Sequence, residues 1–265
     1  EYNTIPPGYP IGLGFRVPLI IVSPWTRGGY VYSEVADHTS ILQFIEKRWN
    51  ITFPNISPWR RAVAADLTAA FDFDHPDFSW PQNLPNTSQS VNRSMLQCEN
   101  NPPPEIPTKQ TMPSQEKGTK LARPLPYAFD IVANLTNKMF QITMKNVGNA
   151  TGVFYVYDYL NTTKEPKKYT VEPKKTLVDS WNVKKAYSLS LHGPNGFVRQ
   201  YQGHPNHVLP SFQLDRNKNF VVVEWLHTLE VTSCIVTDNA YGMSDRKLGK
   251  NSKEIFEIEH SSYWY

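Results

Sequence analysis

Beyond about residue 124 the chain alternates apolar and polar residues with a period of two, in short stretches separated by Asn, Gly and Pro. MFQITMKN, TGVFYVYDYL, KYTVE, LVDSWNV and AYSLSLHG all keep this pattern between residues 139 and 193. Successive side chains of a strand point to opposite faces, so each stretch can bury one row and wet the other. Several short strands with such turns predict an antiparallel sandwich. The texture returns after His204, where Phe140 to Asp158 lies without a gap on Phe220 to Asp238, eighty residues later at both ends. The chain therefore reads as two copies of one small all-β unit, over residues 124–205 and 206–265. In the first copy AYSLSLHG continues through PNGFVRQYQG before the unit closes. The matching stretch of the second is SSYWY, where the sequence given stops, so this copy is expected to be truncated and the natural protein to continue.

Residues 1–77 follow a different rule. FRVPLIIVSPW holds a continuous apolar run, Val17 to Val22, of the kind a strand buried on both faces needs. After Gly28 and Gly29, PWTRGGYVYSEVADHTSILQFIE leads into an amphipathic helix with Ile41, Leu42, Ile45 and Trp49 on one face. RRAVAADLTAAF predicts a second short helix around Arg60 to Ala70. The expected fold is thus α/β at the start and all-β at the end. Between them, residues 78–123 shift to Pro, Asn, Ser and Gln, including NNPPPEIPTKQTMP, and are expected to cross the surface as an extended connector.

Charge and cysteine content exclude several functions. The 27 basic and 24 acidic residues nearly balance, and no repeat interleaves aromatic with basic residues, which argues against nucleic-acid binding. Cys98 and Cys234 are too few for a cysteine-rich zinc site and too far apart for a redox pair. One disulfide and two separate buried thiols both fit them. No apolar run approaches the 18 or so residues a membrane span needs. The opening lacks both a methionine and a basic-then-apolar leader, so a longer parent protein is expected.

Long motifs now meet a known family. GLGFRVPLIIVSPWTRGGYVYSEVADHTSILQFIEKRW followed by PNISPWRRAVAADLTAAFDF resembles the end of the catalytic domain in bacterial phospholipases C of the phosphoesterase family, within the alkaline-phosphatase-like superfamily. QEKGTKLARPLPY, GPNGFVRQYQG and VTDNAYG resemble the tandem C-terminal domains that follow it. The resemblance implies hydrolysis of the phosphodiester of phosphatidylcholine or sphingomyelin, by a secreted or periplasmic enzyme that works at a phospholipid membrane surface. A divalent metal is possible in the intact enzyme, with ligands mostly outside this chain. The early Glu-Asn motif, the Ser or Thr nucleophile and the DENDG-like acidic motif of the family are missing here. Metal-assisted attack on phosphorus needs them, so the chain alone is expected to be inert and to require the N-terminal catalytic portion as its partner. A related acid phosphatase and a non-catalytic lipid-surface or structural module are the alternatives.

The same resemblance sets Asp37 and His38 at the rim of the catalytic centre, where an imidazole can bind metal or serve as general acid. The competing reading is a helix cap, with Asp37 or Thr39 accepting from the free N–H groups of the first turn and His38 filling space. The two are compatible, since a helix N-terminus favours phosphate. Arg27 can reach a phosphate through its fork or remain a solvated loop residue. Trp25, Trp59 and Trp80 can cage a quaternary ammonium or simply pack in the core. Arg60 and Arg61 open a helix, so at least one is expected to pair with a carboxylate such as Asp66 or Asp72. In GPNGFVRQYQG, Phe197, Arg199 and Tyr201 can lie at a lipid headgroup boundary or pack one β-unit on the next. His192, His204 and His207 show no metal-ligand spacing, and KEPKKYTVEPKK suits a solvated hairpin better than an anionic lipid surface.

Overall fold

The computed structural model describes residues 13–14, 17–103, 105–109, 120–206, 209–215, 220–225, 233–237, 244–249 and 252–257. The first β-unit holds seven strands: β1 (Phe129–Thr136), β2 (Met139–Asn146), β3 (Gly152–Asp158), β4 (Lys167–Val171), β5 (Thr176–Asn182), β6 (Tyr187–His192) and β7 (Val198–Gly203). They form two antiparallel sheets, ordered β1-β2-β5 and β4-β3-β6-β7. Alternation decides what each strand buries. Phe140, Ile142 and Met144 point inward from β2, and Phe154 and Val156 from β3. They meet Tyr187, Leu189 and Leu191 of β6 in one core shared by both sheets. Aromatic pairs bridge the sheets, Phe140 with Tyr187 at 4.7 Å between ring centroids and Phe129 with Phe154 at 4.9 Å edge to face. Asn137 and Lys138, both at positive φ, make the two-residue turn of the β1–β2 hairpin, which suits the twist of its strands.

The second copy contributes β8 (Ser211–Asp215), β9 (Phe220–Trp225), β10 (Ser233–Val236), β11 (Arg246–Gly249) and β12 (Ser252–Glu257), in sheets ordered β12-β9-β8 and β10-β11. The β8–β9 hairpin repeats the register of β1–β2. Ile131 faces Met144 and Ser211 faces Glu224, an offset of eighty on both strands, and the match continues to Leu135–Phe140 against Asp215–Phe220. A one-residue register slip would put every inward side chain on the wrong face, so the match is specific to these two hairpins. SSYWY lies outside the described residues.

Ahead of the β-units the architecture departs from the expected α/β layer. Among the described residues before β1 there are helices but no strand: α1 (His38–Trp49), α2 (Pro58–Val63), a 3-10 turn at Thr68–Ala70 and α3 (Ser88–Asn100). The run Val17 to Val22, expected as a doubly buried strand, is irregular and open, with Ile20 83% and Val22 88% exposed. Among the described residues no strand lies beside it to pair with its backbone. The apolar face of α1 is open in part, Ile41 and Trp49 being exposed while Leu42 and Ile45 are half-buried. The second helix is shorter than expected: Ala64 turns extended, and Leu67 takes φ +64°. The proline-rich segment contains α3, in a proline-free stretch whose residues are all exposed.

Two compact units divide the chain. Glu1–Pro18, Tyr32–Ala70 and Ala122–Tyr265 form one, and Leu19–Val31 with Phe71–Leu121 form the other. Within the first, buried Asn146 ties the end of β2 to its surroundings. Its Nδ2 donates to the carbonyls of Ala150 (2.8 Å) and Val171 (2.9 Å), while its Oδ1 accepts from Gly148 N–H (3.0 Å). Asn146→Ala removes the donor to the Ala150 and Val171 carbonyls, while Gly148 N–H keeps its bond to Ala128 O, and is expected to cost about 1–3 kcal/mol in urea unfolding. A loss near zero would show that the loop repacks around the gap.

Candidate functional site

The start of α1 is built by Asp37. Its Oδ1 accepts from Thr39 N–H (2.8 Å) and Thr39 Oγ1 (2.6 Å), and buried Ser40 returns a bond by accepting from Asp37 N–H (3.0 Å). This is a reciprocal capping box, which satisfies N–H groups the helix leaves orphaned. The other oxygen, Oδ2, takes Arg60 Nη1 of α2 at 2.5 Å. Burial alone would raise the Asp37 pKa, but the bonds from Thr39 and Arg60 outweigh it and hold the carboxyl below its usual range. Asp37 is thus fixed as an anion with both oxygens engaged. His38 follows as the first helical residue, exposed to solvent.

Carboxylates lock the same region from behind. Arg61 of α2 holds Glu46 of α1 through two bonds of 2.7 and 2.9 Å and also donates to Phe53 O at 2.8 Å. Lys47 pairs with Asp66 at 2.8 Å. Both arginines therefore have acidic partners, but Asp37 and Glu46 in place of the expected Asp66 or Asp72. Those partners lie 23 and 15 residues away, across a helix–loop–helix turn that local spacing does not reveal. Beside this network Glu34 has its pKa raised, chiefly by burial and further by the charge of Asp66, against a lowering bond from Tyr32. The sequence carries no signal for Glu34, because its burial comes from the tertiary fold.

Trp25 and Arg27 belong to the other compact unit. Trp25 packs against Phe73 (6.3 Å) and Phe78 (5.7 Å, edge to face), with Phe71 stacked on Phe73. Arg27 is engaged by Asp77 (Nε to Oδ2, 3.3 Å) and by the carbonyl and hydroxyl of Ser79. Trp80 stands open, and Trp59 of the first unit donates its Nε1 to Thr170 Oγ1 at 2.9 Å.

The three residues assigned to a lipid boundary face inward. Phe197 is only 7% exposed, wedged against Phe129 and Phe154. Tyr201 packs on Phe140 with its hydroxyl pKa pushed up to about 12 by burial. Arg199 lies over the Phe197 ring at 4.4 Å. On β7 the odd-numbered residues turn toward the core, leaving Val198, Gln200 and Gln202 outward, which a motif read as a loop could not show. The expected surface role of Phe197 and Tyr201 is therefore corrected to core packing. Of the histidines, His192 bonds Ser190 Oγ at 2.8 Å beside Tyr157, His204 Nδ1 accepts from Asn206 N–H at 3.4 Å, and His207 lies outside the described residues. Lys167, in the basic run, is taken up by Asp179 at 2.6 Å and by the Trp181 ring. Cys98 is an exposed free thiol, and the side chain of Cys234 is outside the described set.

A divalent cation finds no ligand set here. Among the described residues no three of His, Cys, Asp and Glu converge on one point, and the oxygens of Asp37 are already occupied.

Comparison with known proteins gives this geometry a context. Residues 2–52 match the model of the phosphoesterase family, and residues 121–204 match that of the bacterial phospholipase C C-terminal domain. A non-hemolytic phospholipase C of Pseudomonas aeruginosa is 36% identical over 97% of this chain and 40% of its own length. A second non-hemolytic phospholipase C, from Burkholderia pseudomallei, is 38% identical over 97% of this chain and 39% of its own. The hemolytic phospholipase C of Pseudomonas aeruginosa is 36% identical over 74% of this chain and 31% of its own length. The chain thus spans about two fifths of the first two relatives.

The Glu46–Arg61 pair makes a pH-dependent contribution to folding. The bonds from Arg61, then that from Phe53 N–H, lower the Glu46 pKa from 4.5 to about 2. A depressed carboxyl stabilises above its unfolded pKa and loses that effect as pH falls through its folded pKa. Wild type is therefore expected to exceed Glu46→Gln in stability at neutral pH, with the difference shrinking between about pH 4.5 and about pH 2. Urea midpoints across that range check it, and a pH-independent difference would contradict it.

Proposed function

Residues 2–52 of this chain belong to the phosphoesterase family and residues 121–204 are a bacterial phospholipase C C-terminal domain, and from this we propose that the intact protein is a phospholipase C. Its substrate would be the phosphodiester of phosphatidylcholine or sphingomyelin, cleaved to a diacylglycerol or ceramide and a phosphorylated head group. The observation that carries the reading is the local design around His38. Asp37 spends both oxygens on the helix start and Arg60, which leaves His38 as the exposed titratable side chain at the N-terminus of a 12-residue helix. Helix dipole and first-turn N–H groups favour a phosphate there. A protonated imidazole in that position can give its proton to the departing alkoxide oxygen as the phosphorus–oxygen bond breaks.

The attacking hydroxyl and the acidic ligands would come from upstream residues. The open apolar run 17–22 and the partly open face of α1 support this, since exposed apolar surface of this kind marks a contact with something absent. The expected alkaline-phosphatase-like layer would form there. The alternative of an acid phosphatase gains nothing from two β-units, for which a small soluble substrate has no evident use. A phospholipid surface does have one. Tyr157 and Tyr159 stack at 6.4 Å on the outside of the first β-unit, next to exposed Leu160, and amphipathic rings beside an apolar side chain suit a headgroup boundary. The same reading places the enzyme outside the cytoplasm, secreted or periplasmic, which cell fractionation checks.

The intact protein is expected to hydrolyse p-nitrophenylphosphorylcholine, the 265-residue chain alone not to, and His38→Ala in the intact protein to lose about a hundredfold or more, within the range general acids supply. Tyr159→Ser combined with Leu160→Ser should slow turnover of phosphatidylcholine vesicles and spare the soluble substrate. Turnover by the chain alone would overturn the division of the site. Full activity in His38→Ala would reduce that residue to a neighbour of the cap, and an intact protein with no hydrolysis would favour the non-catalytic module.

A further inference from the structure

The segment that carries Asp37 and His38 hangs on the first β-unit through Val35. Its N–H donates to the hydroxyl oxygen of Tyr127 at 2.8 Å, and its carbonyl accepts from Ala65 N–H at 2.8 Å. Both backbone groups of a residue two positions before the helix cap are therefore fixed, one by the segment itself and one by a side chain 92 residues away. Tyr127 is well placed to be a rigid anchor. It immediately precedes β1, its ring lies 5.7 Å from that of Phe129, and it packs against the sandwich core. Burial pushes its hydroxyl up to about 12, further aided by the nearby Glu34 and opposed by the Val35 bond, so it stays neutral at any working pH.

Two other bonds join the same elements, from Trp59 Nε1 to Thr170 Oγ1 at 2.9 Å and from Arg123 Nε to Ala70 O at 3.1 Å. They grip the segment at α2 and at its end. Of these three bonds, the Tyr127 bond acts at the approach to α1. We infer that Tyr127 is a positioning residue for the phosphate site: through Val35 it fixes where α1 begins, and with it the Asp37 cap and the His38 ring. The inference rests on the reading that His38 faces the reacting phosphate. A displacement of about 1 Å at a catalytic group can cost about a hundredfold in rate, so a bond that sets the helix start affects turnover more than substrate binding.

The test uses the intact protein and p-nitrophenylphosphorylcholine. Tyr127→Phe removes the acceptor oxygen and keeps the ring, while Thr170→Val removes a matched bond that joins α2, and not Val35, to the same β-unit. Tyr127→Phe is expected to lower kcat about ten- to a hundredfold with KM within about twofold, and Thr170→Val to stay within about twofold in both. Hydrogen exchange at the Val35 amide should speed up in Tyr127→Phe and not in Thr170→Val. Wild-type kcat in Tyr127→Phe beside a defective His38→Ala would overturn the positioning role alone. An equal fall in Thr170→Val would show general loosening and overturn it as well. Full activity in His38→Ala would remove the site reading, and this inference with it.

Discussion

Every backbone N–H and C=O taken from water needs a partner, and residues 32–70 have no sheet of their own to provide them. They use what the fold brings near. Val35 is held by Tyr127 and Ala65, the Ala70 carbonyl by Arg123, and the Ala64 carbonyl by Gln43. The helical segment and the first β-unit accordingly sort into one compact unit, although the texture of the sequence changes between them. Placement of Asp37 and His38 follows from this constraint.

Within that frame, charge does the local work. Asp37 could have been a free acid at a reaction centre, but the Thr39 and Arg60 bonds make it a cap and an ion-pair partner. Such a partly buried pair is worth more than a solvated one, and its geometry ties α2 to the first turn of α1. Arg61 and Glu46 tie the two helices again one helical turn from the C-terminal end of α1. The short α2 thus serves as a brace, with its two arginines pointing to two different places on α1.

Much of the β architecture was legible because period-two alternation is a direct statement of which side chains face inward. The alternation puts Phe140, Ile142 and Met144 on one face, and the eighty-residue offset reappears in the register of the β8–β9 hairpin against β1–β2. The helix after Asp37 was legible from its spacing and cap. What failed depended on neighbours. Val17 to Val22 has the composition of a buried strand but, among the described residues, no strand beside it, so composition alone could not make it one. Phe197 and Tyr201 could be placed at a lipid surface only while the motif looked like a loop, whereas Phe197 at the end of the preceding 3-10 turn and Tyr201 on β7 both pack into the core. Asp37–Arg60 and Val35–Tyr127 are non-local, and a single sequence gives no spacing from which to infer them.

On the proposed function, the first β-unit would hold the phosphate site together as well as serve a lipid surface. Truncation of the intact protein after Leu121, assayed on p-nitrophenylphosphorylcholine and on phosphatidylcholine vesicles, tests this most directly. Removal of Tyr127, Thr170 and Arg123 together should abolish turnover of both substrates to a similar degree. Retained turnover of the soluble substrate, with loss on vesicles alone, would contradict the account and leave the β-units as a lipid-guiding attachment.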